Sequence, residues 1–221
     1  MDRDALLTSI KNRDPAAAKA LLRNQPELSA ARLDNGLSLL LVAIYYGQQE
    51  IVQAIRSGRT ELDIWEATAL GELPSVKALI GEEESLVDAV AADGFSPLGL
   101  AAFFGHLEVL RWLMDNGADV DQPAQNEMRV RPIHSVAAHR KAAVALSMMQ
   151  ALLEAGAQVN VAQHGGWTPL HQAADHGHQP LVMLLLQHGA DPTARSDNGQ
   201  TPADMARAKG FDDVVAFLES P

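Results

Sequence analysis

The chain has 221 residues, of which 47% are hydrophobic and 20% are charged. It can therefore bury a core and does not have the composition of a disordered acidic tail. Lys and Arg total 17 against 28 Asp and Glu, which gives a net charge of −11. Such a chain would be repelled by a phosphate backbone, so we expect no nucleic-acid binding. The absence of cysteine excludes a disulfide scaffold and thiolate catalysis.

The N-terminus and the apolar segments carry no targeting signal. The chain begins Met-Asp-Arg-Asp, which is acidic where a secretory signal would be basic. The longest nearly apolar run, Leu37 to Tyr46, has about half of the ~20 residues that a membrane-spanning helix needs. We therefore expect a cytoplasmic protein that does not associate with a membrane.

One sequence pattern recurs at an interval of 33 residues, which separates Gly166 from Gly199 and Gly156 from Gly189. Within the pattern, a Thr or Ser precedes a Pro, as in Thr168-Pro169, and predicts a helix N-cap followed by proline at the first helical position. The glycines predict helix C-termini and tight turns. Each unit thus contains two short helices, which cannot bury their apolar faces alone, so neighbouring units must stack.

These motifs resemble the ankyrin repeat family. The resemblance is most specific at 161–193, where Thr168-Pro169-Leu170-His171, Gly177-His178 and Gly189-Ala190-Asp191 match the family pattern. It implies an all-α repeat solenoid of stacked helix-turn-helix units with short β-hairpin fingers. It also implies a non-enzymatic scaffold that binds a protein partner through its concave face and hairpin tips.

The repeat pattern predicts one continuous domain of about seven units. These units are an N-terminal cap at 1–33, repeats at 34–62, 63–92, 93–121, 122–160 and 161–193, and a C-terminal cap at 194–221. Repeat 63–92 should lack its finger, because Gly71 follows Gly47 by only 24 residues. Repeat 122–160 has four extra residues, which predict about one added helical turn near 140–147.

The resemblance also implies which positions contact a partner. In the family, the two residues before the helix-ending glycine and the residue after the hairpin glycine are variable and face the concave surface. The predicted partner-binding residues are Leu37, Tyr45, Tyr46, Leu70, Phe95, Phe103, Phe104, Trp167, Asp175 and His176. Six of the ten aromatic residues occupy these positions, and large aromatic side chains dominate interface hot spots. The alternative is that one member of each aromatic pair packs beneath the neighbouring unit.

The acidic residues are concentrated in the middle of the chain. Residues 63–130 contain three basic and thirteen acidic residues. They form either a solvated outer face or an acidic rim that attracts a basic protein. We expect a protein partner, a basic one if the acids form that rim, and a monomeric chain.

Two other functions are compatible with the sequence. One is a dedicated inhibitor or immunity-type protein that blocks a single enzyme. The other is a metal-binding site built from His164, His171, Asp175 and His176, although His171 and His178 occupy the histidine positions of the family, where the ring ties neighbouring backbone together. The chain has no nucleophile elbow and no phosphate-binding loop, so we expect no enzymatic activity and no cofactor.

Overall fold

The structure is a computed structural model that describes residues 2–59 and 61–219. These residues form two compact units. Unit 1 contains residues 1–86 and 91–93, and unit 2 contains residues 87–90 and 94–221. Both are built from pairs of short helices, and the described residues contain seven such pairs. None of the described helices combines the length and apolar character that a membrane crossing requires.

Unit 1 contains three helix pairs. They are α1 (Asp2–Lys11) with α2 (Pro15–Asn24), α3 (Leu39–Tyr45) with α4 (Gln49–Ser57), and α5 (Ile64–Leu70) with α6 (Leu73–Glu82). A short 3₁₀ helix follows α2 at Pro26–Ala30, and another follows α6 at Glu84–Asp88. The core of the unit is a cluster of aliphatic side chains from α1 to α4, among them Leu6, Ile10, Leu39 and Ile51.

Unit 2 contains four helix pairs. They are α7 (Pro97–Phe104) with α8 (Leu107–Asp115), α9 (Pro132–Ala137) with α10 (Ala142–Glu154), α11 (Pro169–Asp175) with α12 (Gln179–Gln187), and α13 (Pro202–Lys209) with α14 (Asp212–Leu218). A single 3₁₀ turn lies at His164–Gly166. Leu98, Leu100, Leu110, Leu113 and Ile133 are fully buried in its core. The predicted all-α repeat fold is confirmed in both units.

Helix starts follow the predicted capping chemistry. Ser96, Thr168 and Thr201 are N-cap residues, each followed by proline, and each side chain accepts a hydrogen bond from the backbone N–H three residues later. Asp14 caps α2 in the same way through the N–H of Ala17, at 2.9 Å. These caps satisfy backbone donors that the first turn of a helix leaves without partners.

The predicted fingers are present as tight hydrogen-bonded turns. In one of them, Ala124 N–H donates to Val130 O at 2.8 Å, and in another Gln163 N–H donates to Trp167 O at 3.0 Å. The only β-type pairing in the described part of the chain is an isolated bridge between Arg32 and Ser38. The fingers are therefore too short to form strands.

The two irregular repeats are as the glycine spacing predicts. Six residues, 58–63, connect α4 to α5, whereas fourteen or sixteen connect consecutive helix pairs within unit 2, and the described residues of the short connection contain no finger. Helix α10 has 13 residues, against 9 in each of α8 and α12. The additional turn lies at its N-terminus and lengthens the helix that follows residues 138–141.

Successive fingers of unit 2 are joined by backbone hydrogen bonds. Gln125 N–H donates to Gly94 O at 2.7 Å, His164 N–H donates to Met128 O at 3.0 Å, and Asp197 N–H donates to Gly165 O at 2.9 Å. The fingers are thus held at fixed spacing beside the first helix of each pair. This arrangement positions the groove described below.

Candidate protein-binding groove

The histidines of the helix-starting motif connect neighbouring repeats. In α11, His171 is fully buried and accepts from Thr168 N–H at 3.2 Å, while its Nε2 bonds Gln200 O at 3.1 Å. His134 in α9 repeats the arrangement with Arg131 N–H and Val161 O, at 3.3 and 3.1 Å. Burial lowers the pKa of both rings. These two side chains hold each first helix against the next finger and are not exposed to a partner.

The predicted binding residues of unit 1 are mostly engaged in the fold. Leu37 and Leu70 are half-buried against the core cluster of the unit. Tyr45 is half-buried, its hydroxyl donates to Asp93 Oδ2 at 2.8 Å, and burial is the main cause that raises its pKa. Tyr46 is 43% exposed. Of the tyrosine pair, Tyr46 is the residue available for contact with a partner.

In unit 2, three predicted aromatic residues lie in one row. The ring centres of Phe95 and Phe103 are 6.2 Å apart, and those of Phe103 and Phe104 are 5.0 Å apart with nearly perpendicular planes. Phe103 is 46% exposed, whereas Phe95 and Phe104 are half-buried. Edge-on aromatic packing of this kind fixes the orientation of the exposed ring.

The remaining predicted residues lie further along unit 2. Trp167 is half-buried, with its ring centre 6.4 Å from that of His171. Asp175 is half-buried and forms an ion pair with Lys209 at 3.6 Å. His176 is exposed, with its ring centre 5.8 Å from that of His178. None of these three lines the groove to which the Phe95–Phe103 row belongs.

A groove of about 530 Å³ lies between the fingers and the first helices of unit 2. We call it the Phe103 groove. Its apolar wall consists of Phe95, Phe103, Met128, Val130 and Ala138. Met128 is 48% exposed. Two of the most exposed large apolar side chains of the described chain therefore lie in one concave site, where apolar surface can be buried against a ligand.

The polar side of the Phe103 groove carries positive charge. Arg140 and Lys141 line it and are exposed, and no acidic residue is among the lining residues. Nearby, burial lowers the pKa of His139, and the positive charges of Lys141, His178 and His106 lower it further, against a backbone hydrogen bond that raises it. The positive charge of the site comes from Arg140 and Lys141.

Sequence reasoning missed part of this groove. It identified Phe95 and Phe103, but it did not include Met128, Arg140 and Lys141. Met128 projects from a finger that is longer than the others, and Arg140 and Lys141 directly precede the inserted turn of α10. The four-residue insertion was the available signal, because an addition next to a variable surface position alters the binding face.

Several acids of the middle segment, residues 63–130, form ion pairs or hydrogen bonds within the fold. In unit 1, Asp63, Glu66 and Glu72 pair with Arg32, Arg59 and Arg56. In unit 2, Asp88 accepts a hydrogen bond from Asp119 N–H at 2.9 Å, and Asp121 accepts one from Gln158 N–H at 3.1 Å.

Other acids of the segment are exposed. Glu82, Glu83 and Glu84 are exposed at the end of α6, and Glu108 and Asp115 are exposed on α8. None of them lines the groove. The predicted basic partner therefore stays a prediction, with the exposed acids on second helices and loops as its candidate contacts.

The histidine-rich segment does not form a coordination site in the described residues. No group of three or more His, Asp or Glu side chains there is arranged to hold a metal ion. Both ring nitrogens of His171 bond within the fold, and Asp175 faces Lys209. The structure thus gives the metal-binding alternative no support at His164, His171, Asp175 and His176.

The chain was compared with known families and proteins. A family model described as ankyrin repeats in three copies matches residues 133–220, and one described as a single ankyrin repeat matches residues 93–125. The chain belongs to the ankyrin repeat family. Ankyrin repeats generally mediate protein–protein interaction, and the family is generally non-catalytic.

Similar repeats occur in proteins of varied description. A segment of 66 residues is 48% identical to human 2-5A-dependent ribonuclease. This segment covers 29% of this chain and 9% of the ribonuclease. The chain is 30% identical over 143 residues to mouse ankyrin repeat and SAM domain-containing protein 6, or 65% of this chain and 12% of that protein. It is 32% identical over 123 residues to the mouse B-cell lymphoma 3 protein homolog, and the match covers 56% of this chain and 26% of that protein. The matched segment is thus a minor part of each relative.

Proposed function

We propose that this chain is a non-enzymatic protein-binding module whose main contact surface is the Phe103 groove of unit 2. One observation carries the proposal, namely that Phe103 and Met128, 46% and 48% exposed, lie in the same concave site. Isolated exposed apolar residues are ordinary on a protein surface, but two that line one groove provide area for a partner to bury.

The groove is rigid before any partner binds. Hydrogen bonds between successive fingers fix the backbone that carries Phe95 and Met128, and the packed neighbours Phe95 and Phe104 orient the ring of Phe103. Because little conformational freedom is then lost on association, the contact area contributes more of its free energy to affinity. The tips of the fingers of unit 2 provide further contacts in this proposal, and Tyr46 is a separate candidate contact on unit 1.

Affinity capture from the cell in which the protein occurs tests this function. The variant is Phe103→Ser, and the matched control is Phe217→Ser, which removes a phenylalanine that is 39% exposed on α14. We expect the Phe103 variant to lose a partner that wild type and the control retain, since truncation of a hot-spot aromatic costs about 2 kcal/mol or more. Equal retention by both folded variants would contradict the proposed surface.

The same capture at low and high salt separates the alternative of a dedicated inhibitor. That alternative predicts one tight partner instead of several weak ones, and its binding weakens as salt rises because charge would supply much of the attraction. The cytoplasmic location and the monomeric state belong to the proposal as predictions, and size-exclusion chromatography with light scattering measures the latter.

A further inference from the structure

We propose that the Phe103 groove binds an extended segment of its partner protein in which a large apolar residue is accompanied by Asp or Glu. This inference rests on the proposed function and specifies the chemistry of the ligand. The apolar side chain would pack against Phe103 and Met128, and the carboxylate would lie beside Arg140 and Lys141. The partner segment would thus be acidic, although the chain itself carries a net charge of −11.

The apolar half of the site has the size for one segment of chain. Phe95, Phe103, Met128 and Val130 form its wall, and its volume of about 530 Å³ lies within the range of pockets that enclose a small ligand. A groove of this size accepts one or two side chains with their backbone. Exposed Phe103 and Met128 provide the contact that a single large apolar side chain would cover.

The charged half of the site has no internal counter-charge. Arg140 and Lys141 are exposed and form no ion pair with any residue that the structure describes. The groove contains no acidic lining residue. Two adjacent cations thus line an apolar groove that has no acidic lining residue, and a carboxylate is the complementary group.

The position of these cations in the fold strengthens this charge argument. Arg140 and Lys141 directly precede Ala142, the first residue of the 13-residue helix α10, and Lys141 provides no side-chain cap. Positive charge at a helix N-terminus is unfavourable, because that end already carries a partial positive charge. An anion bound there would neutralise both contributions at once.

The turn that carries the cations is held in place. Lys141 N–H donates to His139 Nδ1 at 3.2 Å, and His178 Nε2 bonds His139 O at 3.1 Å. The ring of His139 also packs over Gly105, where a Cβ atom would lie 2.6 Å from Nε2. The cations are therefore displayed from a fixed backbone next to the apolar wall, so one short segment can reach both halves of the site.

A displayed library of random nonapeptides, selected on the full chain, tests the inference. The variant is Arg140→Glu/Lys141→Glu, and the control is Arg111→Glu, which reverses an exposed charge on α8 outside the groove. We expect wild type and control to enrich peptides with Leu, Met, Phe or Trp and an Asp or Glu within about four positions, the reach of an extended chain across such a groove at ~3.3 Å per residue. The double variant should bind those peptides about tenfold more weakly, since two attractive charges become repulsive.

Each other outcome of the selection has a distinct meaning. Enrichment of basic or uncharged peptides, or equal binding by the double variant, would overturn the acidic-segment inference. Failure to enrich any peptide would also overturn it. The proposed function survives these outcomes if Phe103→Ser still loses a captured folded partner, and both proposals fail if that variant captures everything that wild type does.

Discussion

The buried ring of His134 joins two parts of unit 2 with one side chain. Its Nδ1 accepts from Arg131 N–H, so Nε2 carries the proton and donates to Val161 O at 3.1 Å. The bond that Nδ1 accepts requires the neutral ring, which is 1% exposed. Burial chiefly, aided by the positive charge of Arg131, lowers the pKa of His134 to about 4.

Stability should therefore fall on acidification. The unfolded chain binds a proton at this residue below its ordinary pKa of 6.5, whereas the folded chain does so only near 4. The contribution of His134 is complete above pH 6.5 and is lost as the pH falls towards 4. When the pH is lowered from about 7.5 to 5, wild type loses unfolding free energy through this ring. The His134→Gln variant should lose roughly 2 kcal/mol less. Chemical denaturation at both values measures this, and identical losses would contradict the role assigned to the ring.

In the repeat without a finger, an ion pair occupies the place of that histidine. Glu66 is fully buried, its carboxylate pairs with both terminal nitrogens of Arg59, and it accepts from Asp63 N–H at 3.1 Å. Arg59 also donates to Ser29 O at 3.2 Å. The pair thus connects α5 to the preceding repeat where no finger is present to do so.

Removal of the arginine should be costly here. Arg59→Leu would leave the carboxylate of Glu66 buried without a partner, at a cost of about 3 kcal/mol in unfolding free energy. The matched control is Arg56→Leu, whose partner Glu72 is one-third exposed. Water can solvate Glu72, so that loss should stay below about 1 kcal/mol. Equal destabilisation in denaturant titrations would contradict this difference.

At the scale of elements, neighbouring fingers depend on the absence of a side chain at Gly94. Its φ is +92°, and a Cβ atom there would lie 2.8 Å from the carbonyl carbon of Gln125. The N–H of Gln125 donates to Gly94 O at 2.7 Å. Gly199 occupies the same position in the last finger with φ +76°, but nothing lies within 4 Å of its Cβ position.

These two glycines form a matched pair of substitutions. Gly94→Ala and Gly199→Ala should each lower the unfolding free energy by about 1–2 kcal/mol, because alanine is unfavourable in the left-handed backbone conformation. Gly94→Ala should cost at least about 1 kcal/mol more, because the next finger must move and its hydrogen bond weakens. Thermal unfolding of both variants measures the difference. A larger loss from Gly199→Ala would contradict the contact between fingers.

The repeat pattern of the sequence was sufficient to predict the helices. Ser96, Thr168 and Thr201 begin helices where the proline after each one indicates, and the spacing from Pro132 to Gly156 revealed the longer α10. The Arg59–Glu66 pair was not predictable, because Glu66 replaces the histidine of the pattern and Arg59 lies in the shortened connection, which has no counterpart in the other repeats. Exposure was also not predictable. The pattern allows that one member of the Tyr45–Tyr46 pair packs inward but does not say which, and in the structure Tyr45 is half-buried and Tyr46 is exposed.

For the whole molecule, the net charge of −11 does not describe the lining of the Phe103 groove. Acids such as Asp63, Asp88 and Asp121 hold caps and loops together, and the Phe103 groove is lined by cations and apolar side chains. The position of a charge within the repeat is therefore more informative than the net charge, since the acids that cap helices and hold loops are occupied by contacts within the fold.

Site-specific photocrosslinking tests the location of the binding surface most directly. Benzoylphenylalanine would replace Phe103 and Met128 in the groove and, as controls, Met183 and Phe217, which are 36% and 39% exposed on α12 and α14. We expect a crosslinked protein adduct at positions 103 and 128, absent at 183 and 217 and lost in Arg140→Glu/Lys141→Glu. Equal adducts at all four positions, adducts at the controls alone, or none at any position would contradict a partner bound in the Phe103 groove.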